Sequence, residues 1–535
     1  MSYTTNKYYI PDIVEHKFIP IKISVDISEI PEHKKKIIKV LIEAAKLVEE
    51  LYLFQKNPEI HPIINEFITR GENSVVSFIK IMGGIKDHFN EDAMFIDGST
   101  DYKYGSFYPS DITMDEWDNF YKLNSDKSDL LTSPHTVLIR SGSSLEIVDY
   151  SVYYKEYLTK ISKLLSDASE LADNYSLKSY LSSQAASFLN NDFDDADIRW
   201  LQLDGNTIEP LIGAHEYYDD KFLGYKASFT AFVSIRRDAE HQKMLIIRKH
   251  IDLLQNTLPI PDHYKKFKRG SISQIAICDL IYSAGDGRVP IHTAAFNLPN
   301  SQKIRSEFGS KKVLLYNIME HKFRSILLLI GERVLSNNDF DRLTYSAYFN
   351  LILLHEISHE LGVGFVKDED GELHEISFYL KDLYTIIEEA KADVMSIYGL
   401  VFFIKQGLII DCSFTDAVTT YITGIVRSLR FGDDNAHSKA NLIQWNILIK
   451  DGVILLDSDT GRLTFNLHRF EKSIEKLLVK ILTLQGEGNY DVTEKFIKQN
   501  SGNDTLLDCF IKDIEDVPVD IIPYFDNAGE TSPFE

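Results

Sequence analysis

The sequence predicts an α+β protein that is predominantly α-helical, and three observations support this class. Residues 31–55 and 154–189 carry apolar side chains at the helical period. Residues 208–316 contain short strand-like segments separated by glycine and proline turns. From about residue 343 to residue 498 the pattern is again almost wholly helical. We therefore expect a mixed region built on a sheet or small barrel, and a separate helical region.

The predicted elements follow one another in a simple order. The first long helix opens at Pro31, and one of its faces is apolar over about seven turns. The strand-like pieces are clearest at 229–235, 272–278 and 313–316. The later helices end at glycines, which favour helix termini. Residues 501–535 are acidic and contain three prolines, which indicates a loosely packed tail.

Composition excludes several classes of protein. The chain has 535 residues, of which 57 are Lys or Arg and 80 are Asp or Glu, so its net charge is −23. Wrapping of duplex DNA is disfavoured, because that affinity comes from neutralising phosphates with basic side chains. The basic stretch at 264–269 is an exception, but short charge runs are usually solvated surface. No nucleic-acid partner is expected.

Cysteine usage and hydropathy indicate the compartment. Cys278, Cys412 and Cys509 are far apart, which excludes a disulfide framework and a cysteine zinc knuckle. The most apolar stretch, 395–404, falls short of the roughly 20 residues that cross a membrane. Residues 1–7 lead into no apolar segment of the secretory kind. We expect a cytoplasmic protein without a membrane partner.

The most informative motif is His-Glu-x-x-His at 355–359. On a helix His355 and His359 lie one turn apart on one face, so that two imidazoles can bind one metal ion. Glu356 is placed to take a proton from the attacking water. The alternative is a fortuitous motif on a solvated helix, but the apolar run at 351–354 puts the motif at the edge of a core. Buried imidazoles need partners, and a metal is one.

A third ligand is needed to leave zinc one open position. Glu389 follows His359 by 30 residues in a helical segment, and Asp393 lies on the same face as Glu389. One carboxylate can therefore bind zinc while the other accepts the N–H of a ligand histidine and fixes its tautomer. Glu388 is expected to point elsewhere. A solvated acidic helix face is the alternative for this segment alone, and the His-Glu-x-x-His motif favours the metal site.

The sequence resembles the dipeptidyl peptidase III family, and more closely the metallopeptidase-like region joined to a Nudix domain in plants. The resemblance rests on the motif at 355–359 and on Glu-Glu-x-x-Ala-acid at 388–393. Further matching segments extend it from about residue 204 to residue 490; they lie at 222–229, 296–300, 429–432 and 436–437.

The resemblance implies a two-lobed fold, with a helical zinc lobe, a mixed lobe around a small β-barrel, and a peptide cleft between them. The expected mixed lobe is 1–320, of which about 234–271 packs on the helical lobe. The helical lobe is 321–500, and 501–535 is the tail. The resemblance also assigns Glu389 as the zinc ligand.

Further roles follow from the resemblance alone. Asn297 and Asn300 would hold the substrate backbone, His437 and Arg430 would stabilise the charged oxygen of the tetrahedral intermediate, and Glu209 would engage the amino terminus of the peptide. These assignments are weaker from the residues themselves, since an Asn beside Pro is usually a turn residue.

Three features depart from the family pattern. Dipeptidyl peptidase III has one more residue between its two histidines, whereas this chain has the five-residue form of its Nudix-linked relatives. Leu211 stands where the peptidase has a tyrosine near the transition state. The Nudix box is missing from the sequence, so the pyrophosphatase chemistry of the plant fusion is not expected.

The sequence thus predicts a zinc metallopeptidase that acts on short peptides with one zinc ion held by His355, His359 and Glu389. Glu356 would act as the base. The resemblance adds His437 as the group that stabilises the oxyanion, and it implies that the short peptides can be cut to release dipeptides from the amino terminus. One alternative is a peptide-binding or regulatory protein without turnover, which Leu211 suggests. Another is a zinc hydrolase of a non-peptide amide.

Overall fold

Helices make up most of the chain in the computed structural model, which describes residues 2–9, 17–142, 144–265, 273–367, 370–432, 435–502 and 505–533. The chain folds into two compact units. Unit 1 is Met1–Arg237, Gln274–Ile318 and Asp520–Glu535, and unit 2 is Asp238–Ser273 and Met319–Val519. The predominantly helical α+β class is confirmed. Residues 266–269 of the basic stretch lie outside the described residues.

The helices of the described residues, in chain order, are α1 (Glu32–Lys56), α2 (Ile60–Thr69), α3 (Asn73–Met82), α4 (Met114–Leu123), α5 (Ser128–Leu131), α6 (Tyr150–Tyr153), α7 (Lys155–Leu171), α8 (Tyr175–Asn190), α9 (Asp194–Leu201), α10 (Asp238–Lys249), α11 (Ile251–Thr257), α12 (Asp262–Lys265), α13 (Gln302–Phe308), α14 (Tyr316–Lys322), α15 (Leu328–Val334), α16 (Asn337–Phe340), α17 (Tyr345–Ser358), α18 (Ile376–Leu380), α19 (Tyr384–Lys405), α20 (Phe414–Leu429), α21 (Ala436–Lys450), α22 (Leu467–Glu487), α23 (Tyr490–Asn500) and α24 (Thr505–Asp513).

The strands are β1 (Thr4–Thr5), β2 (Phe18–Ile23), β3 (Lys86–Asp87), β4 (Ala93–Met94), β5 (Ile96–Asp97), β6 (Thr136–Ser141), β7 (Ser144–Asp149), β8 (Ile208–Glu216), β9 (Ser228–Arg236), β10 (Gln274–Gly285), β11 (Ala295–Leu298), β12 (Lys311–Leu315), β13 (Phe365–Lys367), β14 (Leu373–Glu375), β15 (Ile454–Leu456), β16 (Leu463–Phe465) and β17 (Asp520–Phe525).

A mixed five-stranded sheet forms the centre of unit 1, where the sequence predicted a sheet or small barrel. Its strand order is β11-β12-β10-β9-β8. Strands β10 and β12 are parallel, and the other neighbours are antiparallel. Almost every residue of β8 and β9 is buried, because α1 packs against the sheet and covers β9 and β10. The apolar face predicted for the first long helix is the face that makes this contact.

The C-terminal segment is not the loose tail that its acidic composition suggested. Strand β17 pairs in parallel with β2, with Asp520 opposite Phe18. Ile521 and Phe525 are buried, and the buried carboxylate of Asp520 accepts the main-chain N–H of His292 at 2.9 Å. Composition misled here because the segment contains a short strand whose residues are all buried or half-buried, and its pairing partner lies near the other end of the chain.

Helix α19 is the central helix of unit 2. It packs against α17, α21 and α22, and its residues from Val394 to Phe403 are mostly buried. The helices α10 and α11, from the segment Asp238–Ser273, belong to this unit as well. Among the described helices, none combines the length and the apolar character needed to cross a membrane.

Candidate metal centre

The His-Glu-x-x-His motif lies at the C-terminal end of α17. Thr344 caps the start of this helix through its side chain, and the apolar side of the helix is buried in unit 2. The helix ends at Ser358, but His359 keeps helical dihedral angles of φ −60° and ψ −24°. The two histidines therefore remain on one face, and their Nε2 atoms lie 3.2 Å apart. Glu356, which lies between them in sequence, is partly buried.

Glu389 of α19 completes a group of three possible metal ligands. Its Oε2 atom lies 3.4 Å from Nε2 of His355 and 3.9 Å from Nε2 of His359. In the part of the chain that the structure describes, this is the one group of three or more such side chains whose ligand atoms lie within 4.8 Å of one another. Two imidazoles and one carboxylate match the donor set of a catalytic zinc site.

The Oε2 atom of Glu389 tests whether a cation fits there. This oxygen is buried, and among the described residues no group donates to it a hydrogen bond of standard geometry. A buried carboxylate oxygen without a partner is costly, so it needs a cation. The Nε2 atoms of both histidines lie beside it, and a divalent ion bound by all three would satisfy it.

Each histidine is held from behind by a carboxylate, which leaves its Nε2 for the centre. Nδ1 of His355 lies 2.7 Å from Asp393 Oδ1, and Nε2 of Gln444 donates to Asp393 Oδ2 at 2.9 Å. Nδ1 of His359 lies 3.0 Å from Glu388 Oε1. The prediction that Glu388 points elsewhere is therefore wrong. Glu388 is the carboxylate partner of His359, as Asp393 is of His355.

These contacts determine the electrostatics of the pair. Burial opposes the charged form of His355, but its hydrogen bond with Asp393 and its close approach to the Glu389 carboxylate outweigh burial and raise the pKa of His355 to about 10. Burial lowers the pKa of His359 and outweighs its hydrogen bond with Glu388. Burial favours the neutral form of Asp393, yet the contact with His355 leaves its pKa below the ordinary value. The Asp393 carboxylate therefore stays charged beside the histidine.

The turn after the motif is fixed by a segment that is distant in sequence. The buried side chain of Gln255, on α11, accepts from the N–H of Gly362 at 2.9 Å and donates to its carbonyl at 3.1 Å. Ser273 donates its main-chain N–H to Glu360 at 2.9 Å. The segment Asp238–Ser273 thus supports the turn that follows His359.

His437 lies beside the ligand group, while Arg430 is engaged elsewhere. Nδ1 of His437 is 3.2 Å from Oε2 of Glu389, and 63% of its side chain is exposed. The guanidinium of Arg430 donates to the main-chain carbonyls of Val517 and Pro518. Its two terminal nitrogens are therefore used in holding the chain, and the expectation that Arg430 contacts substrate is not supported by its position.

Glu209, expected from the resemblance at a peptide amino terminus, is buried in the sheet of unit 1 and paired with groups of unit 1. Only 2% of its side chain is exposed. Oε1 lies 2.7 Å from Nζ of Lys311, and Oε2 accepts from Arg236 at 2.8 Å and from Asn206 at 3.0 Å. Both oxygens of the Glu209 carboxylate are therefore paired, and Lys311 and Arg236 neutralise its charge. Leu211, two residues on, is also buried.

The two asparagines of the 296–300 segment lie in unit 1 and differ in their contacts. The Oδ1 atom of Asn297 is buried and has no hydrogen-bond partner among the residues that the structure describes. Nδ2 of Asn300 donates to the carbonyl of His215 at 2.9 Å and to Oε2 of Glu216 at 3.2 Å. Glu216 is therefore a carboxylate in direct contact with Asn300 that the sequence reasoning missed. The one available signal was its place in the strand-like region at 208–316.

Comparison with known proteins identifies the family of the chain. The model of Peptidase family M49 matches residues 104–399, more than half of the chain. "Nudix hydrolase 3" from Arabidopsis thaliana is 33% identical over 406 residues, which cover 75% of this chain and 52% of the relative. "Dipeptidyl peptidase 3" from Nematostella vectensis is 27% identical over 225 residues, 41% of this chain and 30% of the relative. The chain spans about half or less of the length of these curated relatives.

Two solved structures match over nearly the whole chain. The structure of DPP III from Caldithrix abyssi has 36% identity and a TM-score of 0.91, and the match covers 96% of this chain and 98% of that one. The structure of dipeptidyl-peptidase III from Corallococcus sp. strain EGB has 29% identity and a TM-score of 0.78, with 97% of both chains covered. The resemblance to dipeptidyl peptidase III and to the Nudix-linked protein is confirmed. The chain belongs to peptidase family M49 and has the fold of the DPP III structures.

Proposed function

We propose that this protein is a zinc peptidase that hydrolyses short peptides and releases dipeptides from their amino termini. The observation that carries the proposal is the ligand group of His355, His359 and Glu389, with the unpartnered Oε2 atom of Glu389 facing two imidazoles. The family and the DPP III fold support peptide as the substrate class. The three scattered cysteines, which favour a reducing compartment, support a cytoplasmic location.

The chain's own residues would divide the work as follows. His355 and His359 would bind zinc through Nε2, because their Nδ1 atoms face Asp393 and Glu388. Bound zinc would act as a Lewis acid on the scissile carbonyl and on the attacking water. Glu356 would take the proton of that water and pass it to the leaving amine.

The exposed ring of His437 would donate a hydrogen bond to the oxyanion of the tetrahedral intermediate. Its Nδ1 atom already lies within 3.2 Å of Glu389, so it reaches the ligand group, and its exposure leaves room for a substrate. A donor placed where negative charge develops stabilises the transition state more than the ground state.

The substrate residues of unit 1 are assigned from their free or shared polar atoms. The unpartnered Oδ1 of Asn297 can accept a peptide N–H, and Asn300 can contact the substrate through its amide. We assign recognition of the peptide's protonated amino terminus to Glu216, because Glu209 is neutralised inside the sheet whereas Glu216 contacts Asn300. A carboxylate that holds an ammonium group makes a charge-assisted contact, which is stronger than a neutral hydrogen bond.

The test is digestion of a mixed peptide library by purified protein of known zinc content, followed by mass spectrometry. We expect short peptides to be cut after their second residue, with one zinc per chain. Cleavage of N-acetylated peptides as fast as free peptides would contradict the role of the amino terminus. Tight peptide binding without cleavage would favour the rival, a peptide-binding protein, which the buried Leu211 in place of a tyrosine specifically suggests.

A further inference from the structure

A fully buried lysine lies two residues after Glu389 on α19. The side chain of Lys391 has 0% exposure. Its Nζ atom lies 2.9 Å from Oε1 of Glu388 and donates to the carbonyls of Ser358 at 2.8 Å, Leu361 at 3.0 Å and His359 at 3.5 Å. A buried ammonium is costly unless it is paired and hydrogen-bonded, and here Glu388 and the main-chain carbonyls satisfy it.

The carbonyl acceptors lie at the end of the motif helix and in the turn that follows it. Helix α17 stops at Ser358, inside the His-Glu-x-x-His motif, so its last carbonyls lack partners within the helix. A cation at this end also complements the negative pole of the helix dipole. Lys391 therefore acts as a C-terminal cap that reaches from another helix.

The turn after the motif packs beside this side chain. Gly362 has φ +84°, and a Cβ atom there would lie 2.8 Å from Cδ2 of Leu482 and 3.4 Å from Cδ of Lys391. The left-handed backbone conformation favours glycine, and it brings the turn into contact with the lysine stem. Gln255 holds the same glycine through its main-chain N–H and carbonyl.

The carboxylate acceptor, Glu388, also contacts a ligand histidine. Oε1 of Glu388 contacts both Nζ of Lys391 and Nδ1 of His359, while Oε2 accepts from Gln485 at 2.9 Å. Asp393, the partner of His355, instead receives its second hydrogen bond from the neutral amide of Gln444. The His359 side of the site thus carries a buried ammonium as an extra support.

We propose that Lys391 is a positioning residue of the metal centre, which fixes the end of the motif helix to Glu388 and so sets where His359 presents its Nε2 atom. This inference rests on the proposed function, since it takes His359 as a zinc ligand. Lys391 touches neither substrate nor metal, and it acts through Glu388 and through the main chain at 358–361.

The experiment compares Lys391→Met and Lys391→Gln with wild type in two measurements. The first is the zinc dissociation constant from competition with a chromophoric chelator. The second is the visible spectrum of the Co²⁺ form, which reports the geometry around the ion. We expect Lys391→Met to weaken zinc binding about 10-fold or more and to alter the Co²⁺ bands, as loss of an outer support does. Lys391→Gln keeps a donor for the carbonyls, so its zinc dissociation constant should lie between those of wild type and Lys391→Met.

Lys226 provides a matched control. It is also fully buried and donates to the carbonyls of Leu131 and Ser133 and to the hydroxyl of Thr136, all in unit 1. Lys226→Met should lower the melting temperature, but leave the zinc constant and the Co²⁺ spectrum unchanged. A merely structural effect of Lys391 would look like this control.

The two proposals fail separately. If wild type binds no stoichiometric zinc, or binds it equally after His355→Ala, the metal centre itself is refuted. If wild type binds one zinc through His355 and both Lys391 variants keep the wild-type constant and Co²⁺ spectrum, only the role of Lys391 is overturned. Should Lys391→Met not fold, the same readouts on Lys391→Gln decide.

Discussion

Replacing Asp393 with Asn tests how strongly the outer carboxylate supports the metal ligand His355. The charged hydrogen bond between Nδ1 of His355 and Oδ1 of Asp393 is 2.7 Å long, and Gln444 holds the other oxygen at 2.9 Å. A charge-assisted bond contributes about 1.5–3 kcal/mol and a neutral one about 0.5–1.5 kcal/mol. The difference of about 1–1.5 kcal/mol corresponds to about tenfold in the zinc dissociation constant.

The assay is competition for zinc with a chromophoric chelator at fixed pH and salt. Asp393→Asn should raise the dissociation constant about tenfold, within the 10–100-fold range typical of outer-shell changes. Glu475→Gln is the control, because it removes one negative charge from an exposed position on α22. A constant for Asp393→Asn within twofold of the control would refute the reasoning that this carboxylate supports the ligand.

Three further predictions follow from other contacts. Gln255→Leu leaves the N–H and carbonyl of Gly362 unpaired, at about 1–3 kcal/mol each, and should lower the urea midpoint; an unchanged midpoint would contradict the contact. Burial and the nearby carboxylates of Asp219 and Glu216 raise the pKa of Asp286 in the folded protein. The folded state therefore binds the Asp286 proton more tightly than the unfolded state does, and the free energy of unfolding falls as pH rises above the unfolded pKa. Asp286→Asn should therefore gain in melting temperature over wild type at pH 8.5 and not at pH 4, and a pH-independent gain would count against this. Glu216→Gln should raise KM for free peptides much more than for N-acetylated ones, and equal effects on both would reject the amino-terminal role.

The core of the metal centre follows from spacing within helices. His355 and His359 share a face because they are one turn apart, and Glu389 and Asp393 share a face for the same reason. The structure brings these four together because α17 packs on α19. Helical periodicity therefore predicted the histidine pair and the carboxylate pair separately. The prediction that the two pairs meet depended on the third ligand that a metal ion requires.

The remaining contacts depend on distant partners that periodicity cannot supply. The sequence predicts that Glu388 points away from the metal site, because adjacent residues of a helix face different directions. In the structure the end of α17 brings His359 to Glu388. The ion pair between Glu209 and Lys311 joins residues that are about a hundred positions apart, so nothing in the sequence indicates that the Glu209 charge is neutralised. The C-terminal strand β17 could not be predicted because its partner, β2, lies at the other end of the chain.

The most direct test of the account is the activity of Glu356→Gln prepared with one bound zinc. Hydrolysis of a dipeptidyl arylamide is measured beside wild type, together with zinc content by elemental analysis. The account predicts that zinc is retained, since His355, His359 and Glu389 are unchanged, while hydrolysis falls by about 10²–10⁴-fold with loss of the general base. Wild-type hydrolysis by the zinc-loaded variant would contradict the proposed mechanism.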